Sequence, residues 1–87
     1  MNTVRVPSPL RSYTGGAAQV SASGATVAAL LGELERAHPG MRFRMIDEQD
    51  AIRRHVRFFI NGQQTFDLAA RLRPTDEIHI VQALSGG

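Results

Sequence analysis

Gly86 and Gly87 close the sequence, and the α-carboxylate of a terminal glycine can take part in acyl chemistry. A carboxylate is a poor electrophile until it is activated. When one of its oxygens attacks the α-phosphorus of ATP, pyrophosphate leaves and an acyl-adenylate forms. A sulfur or nitrogen nucleophile can then displace AMP. Two glycines lack Cβ atoms and so pass a narrow channel that any larger residue would block. The segment from Gln82 onward reaches at most about 20 Å when extended, which suits delivery of the carboxylate into another protein's active site. A terminal Gly-Gly by itself more often marks a fraying end. Here its weight comes from the strand pattern that runs almost directly into it.

The side chains offer little competing chemistry. His38, His55 and His79 do not stand at metal-ligand spacing from one another, so no metal site is expected. They read instead as a helix-end residue (His38) and solvent-facing strand residues (His55 and His79). Ser8, Ser12, Ser21, Ser23 and Ser85 lack the histidine and carboxylate pattern of a nucleophile elbow. Asp47, Glu48 and Asp50 lack the glycine and distal glutamate of a calcium loop and read as a solvated face. Gly15-Gly16 has neither the lysine nor the strand-to-helix setting of a phosphate loop.

Composition narrows the classes further. The chain of 87 residues is one domain's worth and leaves little room for a deep catalytic pocket. Cysteine is absent, which excludes disulfides, thiolate zinc sites and a side-chain persulfide. Lysine is absent too, so all ten basic residues are arginine and no side-chain amine can accept an isopeptide bond. The formal charge is only +2 despite a pI near 10.4, so the pI is no argument for nucleic acid. No run of about 18 apolar residues is present, and the first residues lack a signal-peptide pattern. The expected location is the cytoplasm, with no membrane partner.

The elements that must position the tail follow from periodicity. Asn2–Val6 alternates as a strand, ended by Pro7 and Pro9. Ser12–Gly16 reads as a turn, and a second strand near Ala18–Ala22 completes a hairpin. Thr26 is a candidate N-cap for a helix whose stripe is Val27, Leu30, Leu31 and Leu34, stopped by Pro39-Gly40. Met41, Phe43 and Ile46 are expected to pin a turn or short helix to the core, with Asp47–Asp50 a loop. His55–Ile60 is a strand, and Asn61-Gly62 is a strong hairpin signal. Gln63–Phe66 returns as a short strand, Leu68–Leu72 reads as a helical turn closed by Pro74, and Glu77–Val81 is the last strand. The last strand can lie beside the first. The expected fold class is α+β: a β-grasp, ubiquitin-like roll with a mixed sheet of four to five strands on one main helix. Residues 1–82 would form the domain and 83–87 a C-terminal tail.

In this order and spacing the chain resembles the ubiquitin-like sulfur carriers of the MoaD/ThiS family. The resemblance rests on Val4-Arg5-Val6-Pro7, Gly24-Ala25-Thr26-Val27 with Leu30 and Leu34, Phe59-Ile60-Asn61-Gly62, Asp76–Ile80 and Gly86-Gly87. Within the family it is most similar to the CysO-type carriers of cysteine biosynthesis, through Thr14-Gly15-Gly16 and Val20–Gly24. The resemblance implies a protein co-substrate and not an enzyme. The Gly87 carboxylate would be adenylated by an E1-like (MoeB/ThiF-type) enzyme and converted to a thiocarboxylate. A sulfur-accepting synthase would take the sulfide, a cysteine synthase being one candidate. No cofactor would be bound; the ATP would be used by the activating enzyme. Gln82-Ala83-Leu84-Ser85 departs from the proline-containing segments of many MoaD members, which counts against a molybdopterin role.

Docking needs a surface. If Val56, Phe58 and Ile60 face inward, Phe59 faces out as an exposed apolar residue, with His79 and Val81 beside it. Leu84, Ser85 and Gly86 are the expected tail contacts. Two other functions share these residues. One is a protein modifier joined through Gly87 to lysines of its targets. The other is a non-covalent β-grasp module binding RNA through Arg42, Arg44, Arg53, Arg54 and Arg57 around Phe43. The acidic run Asp47–Asp50 interrupts that cluster, so a nucleic-acid partner is not expected.

Overall fold

The computed structural model describes residues 1–83. Its five strands form one mixed sheet in the order β2-β1-β5-β3-β4. They are β1 (Asn2–Arg5), β2 (Gln19–Ala22), β3 (Val56–Ile60), β4 (Gln63–Thr65) and β5 (Glu77–Gln82). Helix α1 (Val27–Ala37) covers one face and α2 (Met41–Met45) follows it. The first and last strands lie side by side and parallel, with Val4 opposite Ile78 and Arg5 opposite His79. The other pairings are antiparallel. This is the β-grasp roll that the strand and helix pattern predicts.

α1 forms where the sequence places it. Thr26 is extended and its hydroxyl accepts the Ala29 N–H. Val27, Leu30, Leu31 and Leu34 are buried on the sheet. The remaining free N–H groups of the first turn are met from a distance: Val27 donates to the Ala70 carbonyl and Ala28 to that of Leu68. Leu68 and Ala69 form a single turn, closed by the Ala70 N–H on the Asp67 carbonyl, and the stretch does not continue as a helix. It caps α1 instead, with the Leu72 N–H bonded to the Ala25 carbonyl. Gly24 packs so closely beneath α1 that an added Cβ would clash with the backbone of Leu30.

The β1–β2 connection holds a 3₁₀ helix, Ser8–Thr14, where the sequence suggests only a turn at its end. Its Leu10 enters the core. α2 differs in its inward residues. Met41, Met45 and Ile46 are buried, whereas Phe43, expected inside, is 56% exposed. In a five-residue helix the stripe is set by the spacing of Met41 and Met45, one turn apart, which turns Phe43 to the opposite side.

The Asn61-Gly62 turn has positive φ at both residues, 50° and 85°, as a tight hairpin requires. It sets the register of β3 and β4, with Ile60 opposite Gln63. Val56 and Phe58 consequently point into the core. Phe58 is wholly buried, which stabilises the fold by roughly 2–3 kcal/mol.

Candidate functional site

The outer face of the sheet is assembled from alternate residues of the strands. Phe59 stands directly opposite His79 on β5 and Gln64 on β4. Arg57 stands opposite Val81, and Arg5 on β1 opposite His79. The structure thus brings together Phe59, His79 and Val81, the three docking residues expected within the described part of the chain. His79 and Val81 are exposed. Phe59 is half-buried and not the exposed ring expected, because it sits between β5 and β4 and its neighbours cover its flanks. Arg5 binds Glu77 on this face at 3.2 Å. Gly87, Gly86, Ser85 and Leu84 lie outside the described residues.

The geometry of the tail's root is on the page. β5 outruns the main part of its pairing with β3: Gln82 stands opposite Val56, and the Ala83 N–H donates to the His55 carbonyl at 2.8 Å. The described chain therefore ends at the edge where β3 begins. On one flank lies a cleft of about 390 Å³ lined by Phe43, Arg44, Arg53, His55 and Gln82. On the other flank a second cleft is lined by Arg5, Arg11, His79 and again Gln82. His55 is half-buried at this junction and is not the solvent-facing strand residue expected. The Gln82 Oε1 is buried with no hydrogen-bond partner among the described residues.

The arginines of the first cleft are held by one nitrogen each. Arg44 donates its Nε to the Tyr13 hydroxyl at 2.8 Å. Arg53 donates its Nε to the Phe43 carbonyl at 2.7 Å and lies 4.6 Å from the centroid of the Phe43 ring. The sequence shows that Arg44, Phe43 and Arg53 are near one another in the chain. It does not show that they meet at the tail, because that requires the α2 and β5 positions together.

Electrostatics elsewhere are structural. The N–H groups of Gly40 and Arg42 hold the Glu35 carboxyl below its ordinary range. Those of Ala51 and Gln49 do the same for Asp47. Asp47 is thus committed to closing its own loop. No cluster of three metal-binding side chains occurs among the described residues. No helix among them is long and apolar enough to cross a membrane.

Residues 4–87 match the ThiS family, a span that runs from within β1 to the terminal glycines. The chain belongs to the ThiS family. It is 33% identical to the sulfur carrier protein CysO of Mycobacterium tuberculosis, over 98% of this chain and 97% of that protein. The crystal structure of M. tuberculosis CysO superposes with a TM-score of 0.89 at 31% identity, covering 97% of this chain and all of the other. A chain in the crystal structure of the Amycolatopsis orientalis BexX/CysO complex gives 0.92 at 31% identity, with both chains fully covered. The small archaeal modifier protein SAMP1 of Haloferax volcanii gives 0.78 at 25% identity, over 98% of this chain and 97% of that one.

Proposed function

We propose that this ThiS-family chain is a sulfur carrier whose working group is the Gly87 carboxylate. The observation that carries the reading is the full-length likeness to CysO carriers, joined to a last strand that leads into Gly86-Gly87. In this reading a carboxylate oxygen attacks the α-phosphorus of ATP on an E1-like, MoeB/ThiF-type enzyme, and pyrophosphate leaves. A hydrosulfide equivalent then adds to the acyl carbon and AMP leaves, which gives the thiocarboxylate. Transfer of that sulfur to an acceptor, with water supplying the replacing oxygen, returns the carboxylate. The absence of cysteine agrees, since the chain has no thiol of its own on which to load sulfur.

The chain acts here as a protein co-substrate and holds no cofactor; the ATP belongs to the activating enzyme. The accepting partner is a synthase, and the relatives point to one of cysteine biosynthesis. The traffic takes place in the cytoplasm, where ATP is supplied. Gly86 passes the partner's channel, Ser85 and Leu84 are further tail contacts, and Phe59, His79 and Val81 form the sheet-face contact.

Intact mass of the protein from its own host, kept from reducing and amine reagents, tests the reading. The expected result is a gain equal to exchanging one oxygen for sulfur, mapped to the Gly87 peptide. An unmodified mass, followed by no pyrophosphate release with ATP and the adenylating enzyme, overturns it. A second reading, conjugation through Gly87 to lysines of other proteins, draws on the likeness to the archaeal modifier. Isopeptide-linked adducts in host cells would favour it.

A further inference from the structure

The tail root is flanked by arginines, and its position constrains what approaches it. The four residues after Ala83 span at most about 14 Å when extended. A partner that receives Gly87 in its active site must therefore bring the rim of that site against the residues around the root. Those residues are Arg44, Arg53 and His55 on one flank and Arg5, Arg11 and His79 on the other. Among the described residues no carboxylate lines either cleft. On the flanking segments Asp50 pairs with Arg42 and Glu77 with Arg5, while Asp47, whose charge is felt by Arg53, accepts the N–H groups of its own loop.

Arg44 and Arg53 form no ion pair among the described residues. Each lines the cleft and is anchored by its Nε, and its terminal nitrogens make no hydrogen bond among the described residues. A guanidinium held in this way loses less freedom on meeting a carboxylate than a loose one does. Phe43, exposed beneath Arg53, adds an apolar floor.

We propose that this collar docks an acidic rim around the tail-receiving mouth of the activating enzyme, with Arg44 and Arg53 as its principal contacts. The occupant is a cluster of aspartate and glutamate side chains bordering an apolar residue that meets Phe43. The proposal rests on the carrier reading, because that reading brings such a mouth to the root. The sheet-face residues Phe59 and Val81 would then supply apolar contact, and the collar would supply encounter rate and orientation.

Association of the chain with the host's MoeB/ThiF-type adenylating enzyme, followed by stopped flow, tests it. Reversing both charges, Arg44→Glu with Arg53→Glu, should slow association about tenfold at low salt, and the gap should close at about 0.5 M salt. The control pair Arg36→Glu with Arg71→Glu removes the same charge elsewhere and should slow it much less. Circular dichroism checks the fold; if the double reversal unfolds, Arg44→Glu alone carries the test with a smaller expected slowing. Unchanged rates for the collar variants, or equal slowing by the control, overturn the proposal. Pyrophosphate release by the wild-type chain is measured alongside. Its absence overturns the carrier reading and the collar's role with it, whereas release with unchanged rates overturns the collar alone. Salt-sensitive binding of a labelled single-stranded RNA 20-mer, lost in the reversal while association is unchanged, would assign the arginines to nucleic acid instead.

Discussion

At its start β5 is clasped by polar side chains from three parts of the chain, whereas its end lies between clefts whose Arg44 and Arg53 form no ion pair among the described residues. The start is closed in every direction. Asn2, buried in β1, donates to the carbonyls of Arg73 and Asp76 at 2.7 and 2.9 Å. Asn61 donates to the Asp76 carboxylate at 2.8 Å and accepts the Glu77 N–H. The other oxygen of Asp76 accepts the Arg73 N–H. The far end keeps a buried Gln82 Oε1 with no partner among the described residues and two clefts lined by arginines. A satisfied polar group stabilises the fold, while one left open at a surface is available to something else. The contrast separates what builds the domain from what the domain presents.

Deleting Gly87 should give the largest effect. Adenylation, read as pyrophosphate release, should disappear, while the melting temperature stays within about 1 °C, because the described core closes without the last residue. A drop of several degrees would break the division between the two ends. Asn2→Ala should do the reverse. It strands two carbonyls at the clasped end and should cost about 2 kcal/mol in chemical denaturation, with adenylation per folded molecule unchanged.

Gln82→Met sharpens the comparison further. It replaces an unpartnered buried oxygen with an apolar group of similar length and should raise stability by up to about 1 kcal/mol. Partner association should weaken at the same time. A destabilised variant would mean that the Gln82 side chain is satisfied after all.

The smallest effect is in pH. The Arg73 N–H and the Asn61 side chain hold the Asp76 carboxyl below its ordinary value, and Glu35 and Asp47 are held down likewise. Each binds fewer protons folded than unfolded at mildly acid pH. Their stabilisation is complete above the ordinary carboxylate range and is lost as pH falls through the lowered folded values. Denaturant midpoints should decline in that acid window, and Asp76→Asn should flatten the decline.

The clasped end was only partly legible in the sequence. Asn61-Gly62 announces its turn because two positive φ angles demand such residues. That the Asn61 side chain also ties β5 is a contact across sixteen residues, which no local pattern carries. The stripe of α1 was legible because four buried residues repeat over two turns. The side on which Phe43 lies is not legible because five residues allow more than one stripe; Leu68–Leu72 does hold a turn, and what its sequence does not carry is that its carbonyls cap α1. In the candidate site, the alternation through Phe58 and Phe59 gave the correct facing. The meeting of α2 with the end of β5, which makes the basic collar, is a product of the closed fold.

The parallel pairing of β1 with β5 has a mechanical consequence. Met1 adjoins the start of one strand and the tail leaves the end of the other, about 20 Å away along the sheet. A pull between the two termini therefore slides the strands past each other. The evenly spaced bonds of the parallel pair share that load and do not open one after another as in a zipper. A partner that grips the tail pulls along the direction in which the sheet's centre yields least.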